Sequence, residues 1–174
     1  LPDDFPRKEL FHFNHLTIVY VFLLTSMYHI DLIFVKSFVG STEAGLYKMA
    51  LVLVQFLWVI PRSIQSVMIQ STSNLWAEGK IEQIQDIAAQ STRYALLITT
   101  LLALGLGALA SDFVPLYYPS VESPETVVTA ILLLLPGTLG FAMARPLLSI
   151  NHAKGDMKAL IAATGAAALI NLVL

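Results

Sequence analysis

The chain has 174 residues, 56% of them hydrophobic and 13% charged, and its mean hydropathy is +0.72. These values indicate a membrane protein rather than a soluble globular domain. The net charge of −2 has the wrong sign for a nucleic-acid binder, and the lack of cysteine excludes a disulfide framework, a thiolate metal site and a cysteine nucleophile.

The apolar segments predict membrane spans, because about 20 apolar residues cross a hydrocarbon core of about 30 Å. We place spans at about 16–38, 46–70, 93–115, 126–148 and 159–174. The polar turn GSTEAG joins the first two spans into an antiparallel hairpin. Residues 1–174 are therefore expected to form an all-α integral membrane bundle. Since the last apolar run is short, we interpret the chain as an internal piece of a longer polytopic protein.

The segment 78–92 differs from the spans, because its apolar residues recur at helical spacing opposite a polar side. The apolar side consists of Ile81, Ile84, Ile87 and Ala88. This pattern predicts an amphipathic helix on the membrane surface, with Trp76 at the interface. The alternative is a solvated loop.

Lys and Arg predict the orientation. If the spans alternate in direction, one side carries Arg7, Lys8, Lys80, Arg93, Arg145, Lys154 and Lys158. The other side carries only Lys36 and Lys48, and Arg62 lies inside a span. We therefore expect a multi-pass protein of the cell membrane with residue 1 on the cytoplasmic side.

Asp31 is a carboxylate within the first predicted span. At about 1.5 Å per residue it lies vertically some 15 Å from Arg62 but only about 5 Å from Lys48, so we predict contact with Lys48. A structural tie of this kind and an ion-coupling role are both open for Asp31.

The second span carries a polar stripe. At 100° per residue, Lys48, Gln55, Arg62, Ser66 and Ser73 lie within about 20° of one line, with Gln70 nearby. Charged residues at a helix centre cost about 2.5–3.5 kcal/mol on insertion, so the stripe should face protein or water. It lines either a cavity or an interhelical hydrogen-bond seam, in which Arg62 extends toward the cytoplasm.

Two prolines are expected to interrupt helices. Pro61 directly precedes Arg62, and Pro136 lies about 15 Å into the fourth span, near the midplane. Midplane breaks occur near transporter sites and also as packing kinks.

Enzyme signatures are missing from the sequence. No nucleotide-binding loop, dinucleotide fingerprint or zinc-protease motif occurs, so we expect neither an enzyme nor a cofactor. His12 and His15 lack an acidic third ligand, and no metal site is expected.

The order of several short motifs resembles the polysaccharide-biosynthesis membrane proteins. These motifs are IDLIFVKSFVGSTEAGLYKMA, WVIPRSIQSVMIQSTSNLW, EGKIEQIQDIAAQSTRYALLIT and LLLLPGTLGFAMARPLLSINHAKGD. Such proteins are the O-antigen flippase type of the multidrug/oligosaccharidyl-lipid/polysaccharide exporter superfamily. The resemblance covers nearly the whole chain.

The resemblance implies 12 to 14 transmembrane helices in two bundles around a central cavity, with inward-open and outward-open states. The five spans then represent most of one bundle. The charged lead-in LPDDFPRKEL is typical of an interdomain connection, which favours the second half.

The resemblance also implies the substrate, an oligosaccharide linked to a polyisoprenyl phosphate-type carrier. Arg62, Gln55 and Lys48 would form one wall of its groove, and an ion gradient or consumption of the product would drive transport. Two alternatives remain: an ion-coupled multidrug exporter of the same superfamily and a structural membrane subunit that transports nothing.

Overall fold

The computed structural model describes residues 7–173, and it describes their side chains except at positions 7–9, 12, 28 and 170–173. The described chain consists of helices joined by short turns and contains no strand. The helices are α1 (Arg7–Phe38), α2 (Ser41–Gln55), a 3₁₀ turn (Phe56–Trp58), α3 (Val59–Ala77), α4 (Ile81–Tyr117), α5 (Pro124–Ala153) and α6 (Met157–Val173). The predicted all-α fold is confirmed.

Four helical segments in the described range are long and apolar enough to cross a bilayer: Phe13–Phe38, Ser41–Ala77, Ile81–Tyr117 and Pro124–Ala153. A shorter apolar helix, Met157–Leu169, follows them. Each of the first four predicted spans lies within one of these segments, and the fifth overlaps α6. The chain is thus an integral membrane protein built from antiparallel helices.

The turn between α1 and α2 is shorter than the motif GSTEAG suggested, because α2 already begins at Ser41. Gly40 has a φ of +132°, and a Cβ there would meet the Glu43 carboxylate at 2.8 Å. Glu43 lies in the first turn of α2, where a negative charge favours the helix N-terminus. Only Val39 and Gly40 therefore separate the two helices.

The segment predicted as a separate surface helix is continuous with the next span. Residues 81–92 form the first turns of α4, whose 37 residues extend about 56 Å, well beyond a hydrocarbon core of about 30 Å. Ile84 and Ala88 are buried, and α4 packs against α3. Ile84 and Ala88 on the apolar side of the segment therefore face protein, whereas Ile81 is exposed. The first proline after Ile81 is Pro115, which lies in the last turn of α4, so no proline ends the helix earlier.

Helix α5 lies at the centre of the described bundle, in contact with α2, α3, α4 and α6. One apolar core joins α2, α4 and α5 and is formed by Ala50, Leu53, Val54, Ala110, Val114, Val127 and Ile131. Small residues let these helices approach closely. At Gly107, for example, an added Cβ would meet Leu135 Cδ1 at 3.1 Å.

Helix α1 packs at the side of the bundle, against α2 and α6. Its buried Tyr20 joins Met157 and Leu160 in a second, smaller core. The contacts of α3 with α5 place side chains of both helices in the site described next.

Candidate functional site: an arginine–aromatic cluster

The local irregularity of the second span positions the site. Pro61 has no N–H to donate, and its ring obstructs the carbonyl of Leu57 one turn earlier, where the 3₁₀ turn lies. The helix then continues as α3. A 3₁₀ turn is wound more tightly than an α-helix, so a spacing of 100° per residue is not kept across Phe56–Trp58.

Two aromatic rings from different helices meet beside this turn. Trp58 and Phe141 of α5 stack with ring centroids 4.7 Å apart and an interplanar angle of 20°. The guanidinium carbon of Arg62 lies 5.3 Å from the Trp58 ring centre and 5.8 Å from that of Phe141. The guanidinium carbon of Arg145 lies 4.2 Å from the Phe141 ring centre. These four residues and Gln65 are the arginine–aromatic cluster.

Arg145 is held from the α3 side. Its Nη1 donates a hydrogen bond of 2.9 Å to Gln65 Oε1, and the two residues are only 8% and 9% exposed. One helical turn along α5, the Ser149 hydroxyl lies 3.7 Å from Met68 Sδ. A polar, buried contact therefore joins α3 to α5. Arg145 is fixed in place, whereas the Arg62 side chain is exposed.

The guanidinium groups of Arg62 and Arg145 both lie beside the ring of Phe141. Their guanidinium carbons are at most 10.0 Å apart, because this is the sum of their distances to the Phe141 ring centre. At an effective dielectric constant of about 20, two such charges repel by about 1.7 kcal/mol or more. An anion beside both would remove this repulsion and accept hydrogen bonds from their forked donors. The flat rings of Trp58 and Phe141 add apolar surface beside the two guanidinium groups.

Part of the predicted polar stripe lies on the open side of α3, and its Ser73 is half-buried. Arg62, Ser66 and Gln70 are exposed, whereas the buried face of α3 consists of Pro61, Gln65, Met68 and Thr72. The hydrogen bond from Arg145 of α5 thus goes to Gln65 on the buried face of α3, and Arg62, Ser66 and Gln70 are left accessible.

The 3₁₀ turn separates the first residues of the stripe from Arg62. Lys48 is exposed and Gln55 is half-buried, and both precede the turn. The line through Arg62 assumed 100° per residue throughout, a spacing that the 3₁₀ turn does not keep.

Asp31 and Lys48 form no ion pair with each other. The ion pairs between described side chains join Lys80 to Glu78 and Lys154 to Asp156. Asp31 is half-buried in α1 and lies within electrostatic range of Tyr47, the neighbour of Lys48. Adjacent helical residues point about 100° apart, so equal depth does not bring both side chains to Asp31.

Pro136 does not interrupt its helix, since α5 runs without a break from Pro124 to Ala153. A second internal proline, Pro146, follows Arg145 directly and is buried. The described bundle therefore places a proline beside each arginine of the cluster, and the midplane proline lies apart from it.

Sequence reasoning missed four members of the cluster: Trp58, Gln65, Phe141 and Arg145. It counted Arg145 only as a basic residue of the cytoplasmic side, although Arg145 lies two turns before the end of α5. An arginine followed by proline inside an apolar helix was an available signal, because intramembrane charges are costly and are retained for function.

A metal site is not formed in the described part of the chain, where no group of three or more His, Cys, Asp or Glu side chains is close enough to hold an ion. His15 is exposed, and the side chain of His12 is outside the described set.

A comparison with protein-family models matches residues 17–174 to the family described as MatE. The match extends from α1 through α6. Comparisons with curated proteins and with solved structures give no match.

Proposed function

The chain belongs to the MatE family, whose members are membrane exporters, and from this premise we propose that it translocates a lipid-linked oligosaccharide or polysaccharide precursor by alternating access. The family supports export as the activity. The choice of an anionic, lipid-linked substrate rests on one observation, that Arg62 and Arg145 share the ring of Phe141.

The substrate we propose has a sugar-phosphate head that must cross about 30 Å of hydrocarbon. Its phosphate oxygens match the planar, forked donors of arginine, which bind in a bidentate way. Arg62 is exposed and is available to an entering head group, whereas Arg145 is buried and held by Gln65. We therefore assign first contact to Arg62 and a fixed second charge to Arg145.

The open face around Arg62 extends this site. Ser66 and Gln70 are exposed on the same helix, and Lys48 and Gln55 lie beyond the 3₁₀ turn. We propose that they line the path of the head group through the protein. With residue 1 on the cytoplasmic side of the cell membrane, Arg62 would receive its ligand from the inner leaflet.

An ion-coupled multidrug exporter is the second candidate, and Asp31 would be its coupling site. The stacked rings of Trp58 and Phe141 suit a flat apolar drug. A cationic drug, however, would meet two arginines beside the same rings. This repulsion favours the anionic substrate.

The test is a transport assay on the full-length protein with a lipid-linked oligosaccharide carrying a diphosphate. We expect Arg62→Ala to abolish export at normal protein abundance, and Arg62→Lys to retain part of it because lysine keeps the charge without the fork. The matched control is Arg93→Ala, which removes an exposed arginine of α4 that belongs to no part of the cluster.

Normal export by Arg62→Ala at normal abundance would overturn the proposal. Efflux of a hydrophobic cation by the protein, together with glycan export that Arg62→Ala leaves unchanged, would instead support the multidrug exporter.

A further inference from the structure

A groove opens between α1, α5 and α6, and it is a different surface from the polar stripe. Its volume is about 490 Å³. Leu24 and Met27 form its α1 side, Leu148 belongs to α5, and Ala163 and Ala167 belong to α6. The lining is thus mostly apolar, and the small residues of α6 leave the space open.

Phe141 and Arg145 line this groove and also belong to the arginine–aromatic cluster. Among the described residues that line the groove, Arg145 is the one that carries a charge. A charged group bound at the cluster would therefore lie next to an apolar space, because Arg145 borders both. This juxtaposition matches the two parts of an amphiphile, with an anion at one end and hydrocarbon at the other.

We infer that this groove holds part of the hydrocarbon chain of a lipid carrier whose phosphate binds at the arginine–aromatic cluster. The inference rests on the proposed function and extends it from the head group to the tail. Transfer of hydrocarbon into an apolar lining needs no polar partner, whereas sugar hydroxyls there would lose hydrogen bonds to water.

The size of the groove favours a single hydrocarbon chain as its occupant over a helix from a partner protein. A helix about 10 Å across fills about 400 Å³ per turn, so only about one turn would fit. A volume of about 490 Å³ lies within the range of pockets that enclose small ligands. It therefore accommodates a segment of one flexible chain.

Ala162 and Ala163 provide a matched pair of substitutions, since both are exposed on α6 and only Ala163 lines the groove. We compare Ala163→Phe with Ala162→Phe in the full-length protein. Ala144→Leu fills the same groove from α5 and serves as a second variant. Thermal unfolding shows which variants are folded.

The probes are a radiolabelled long-chain polyisoprenyl diphosphate and inorganic diphosphate, which has no hydrocarbon. We expect Ala163→Phe and Ala144→Leu to weaken binding of the long chain by about tenfold or more, the loss expected when two methylene groups are kept from an apolar site. Binding of inorganic diphosphate should stay within about twofold of wild type, because it binds at the arginines and places nothing in the groove. Ala162→Phe should leave both affinities unchanged.

Three results would overturn the inference, and they separate it from the proposed function. Unchanged long-chain binding in both filling variants, with weaker binding in Arg62→Ala, would exclude the groove and leave the head-group site intact. An equal loss for the polyisoprenyl and the inorganic diphosphate would mean that filling the groove disturbs the head-group site. Failure of the wild-type protein to bind either diphosphate would remove the proposed function and the inference together.

Discussion

The guanidinium of Arg145 donates a hydrogen bond to the side-chain amide oxygen of Gln65, joining two residues that are 80 positions apart in the sequence. Both residues are more than nine-tenths buried. A buried guanidinium is expensive unless its donors find acceptors, so Gln65 both stabilises the α3–α5 contact and fixes the cation beside Phe141. The membrane-embedded position of Arg145 thus depends on a neutral partner from another helix.

The first prediction concerns that hydrogen bond. Gln65→Leu keeps most of the side-chain volume but removes the acceptor, so it should destabilise the protein by about 1–3 kcal/mol. Unfolding in detergent measures this loss. The control Gln70→Leu changes an exposed residue of the same helix and should stay within about 0.5 kcal/mol. Equal stability of the two variants would show that the Gln65 hydrogen bond contributes nothing.

A second prediction tests the turn between α5 and α6. Gly155 has a φ of +74°, and the N–H of Asp156 donates to the carbonyl of Asn151 in the manner of a Schellman cap. Gly155→Ala should cost about 1–2 kcal/mol, because an L residue is strained in this conformation. Gly105 lies inside α4, and a Cβ added there would have no neighbouring atom within 4 Å. Gly105→Ala should therefore be neutral or stabilising. Unfolding midpoints that rank the two variants in the opposite order would contradict this assignment.

The third prediction concerns topology. Gly79 and Gly155 lie in the α3–α4 and α5–α6 turns, whereas Ser41 and Ser120 lie at the opposite helix ends. Reporter fusions after Gly79 and Gly155 should indicate the cytoplasm, and fusions after Ser41 and Ser120 the outside, because Lys and Arg predominate on the first side. An outside signal at Gly79 would invert the orientation.

The fourth prediction uses a double-mutant cycle for Asp31 and Lys48. Equal depth predicted that they touch, which would make Asp31→Asn and Lys48→Gln non-additive. They form no ion pair, so the two effects on stability should add within about 0.3–0.5 kcal/mol. A coupling energy above about 1 kcal/mol in the full-length protein would show that the pair forms there.

Hydropathy was sufficient to predict the membrane class, the all-α fold and the approximate positions of four long helices. The reason is local: each span must satisfy its own backbone hydrogen bonds in hydrocarbon, so a long apolar run has few alternatives to a helix. The same local reasoning singled out Pro61 and Arg62. It did not predict that residues 81–92 join the following span, because a surface helix and an extended membrane helix share the same periodicity.

The composition of the site was decided by the tertiary structure. Phe141 and Arg145 meet Trp58, Arg62 and Gln65 only because α5 packs against α3. Helical periodicity states which residues share a face of one helix, but it does not state which helices are neighbours. The polar stripe was a property of one helix, and even that was altered by the 3₁₀ turn at Phe56–Trp58. A charge in the membrane acquires its partners through packing between helices, so sequence alone identified Arg62 and the fold supplied Arg145.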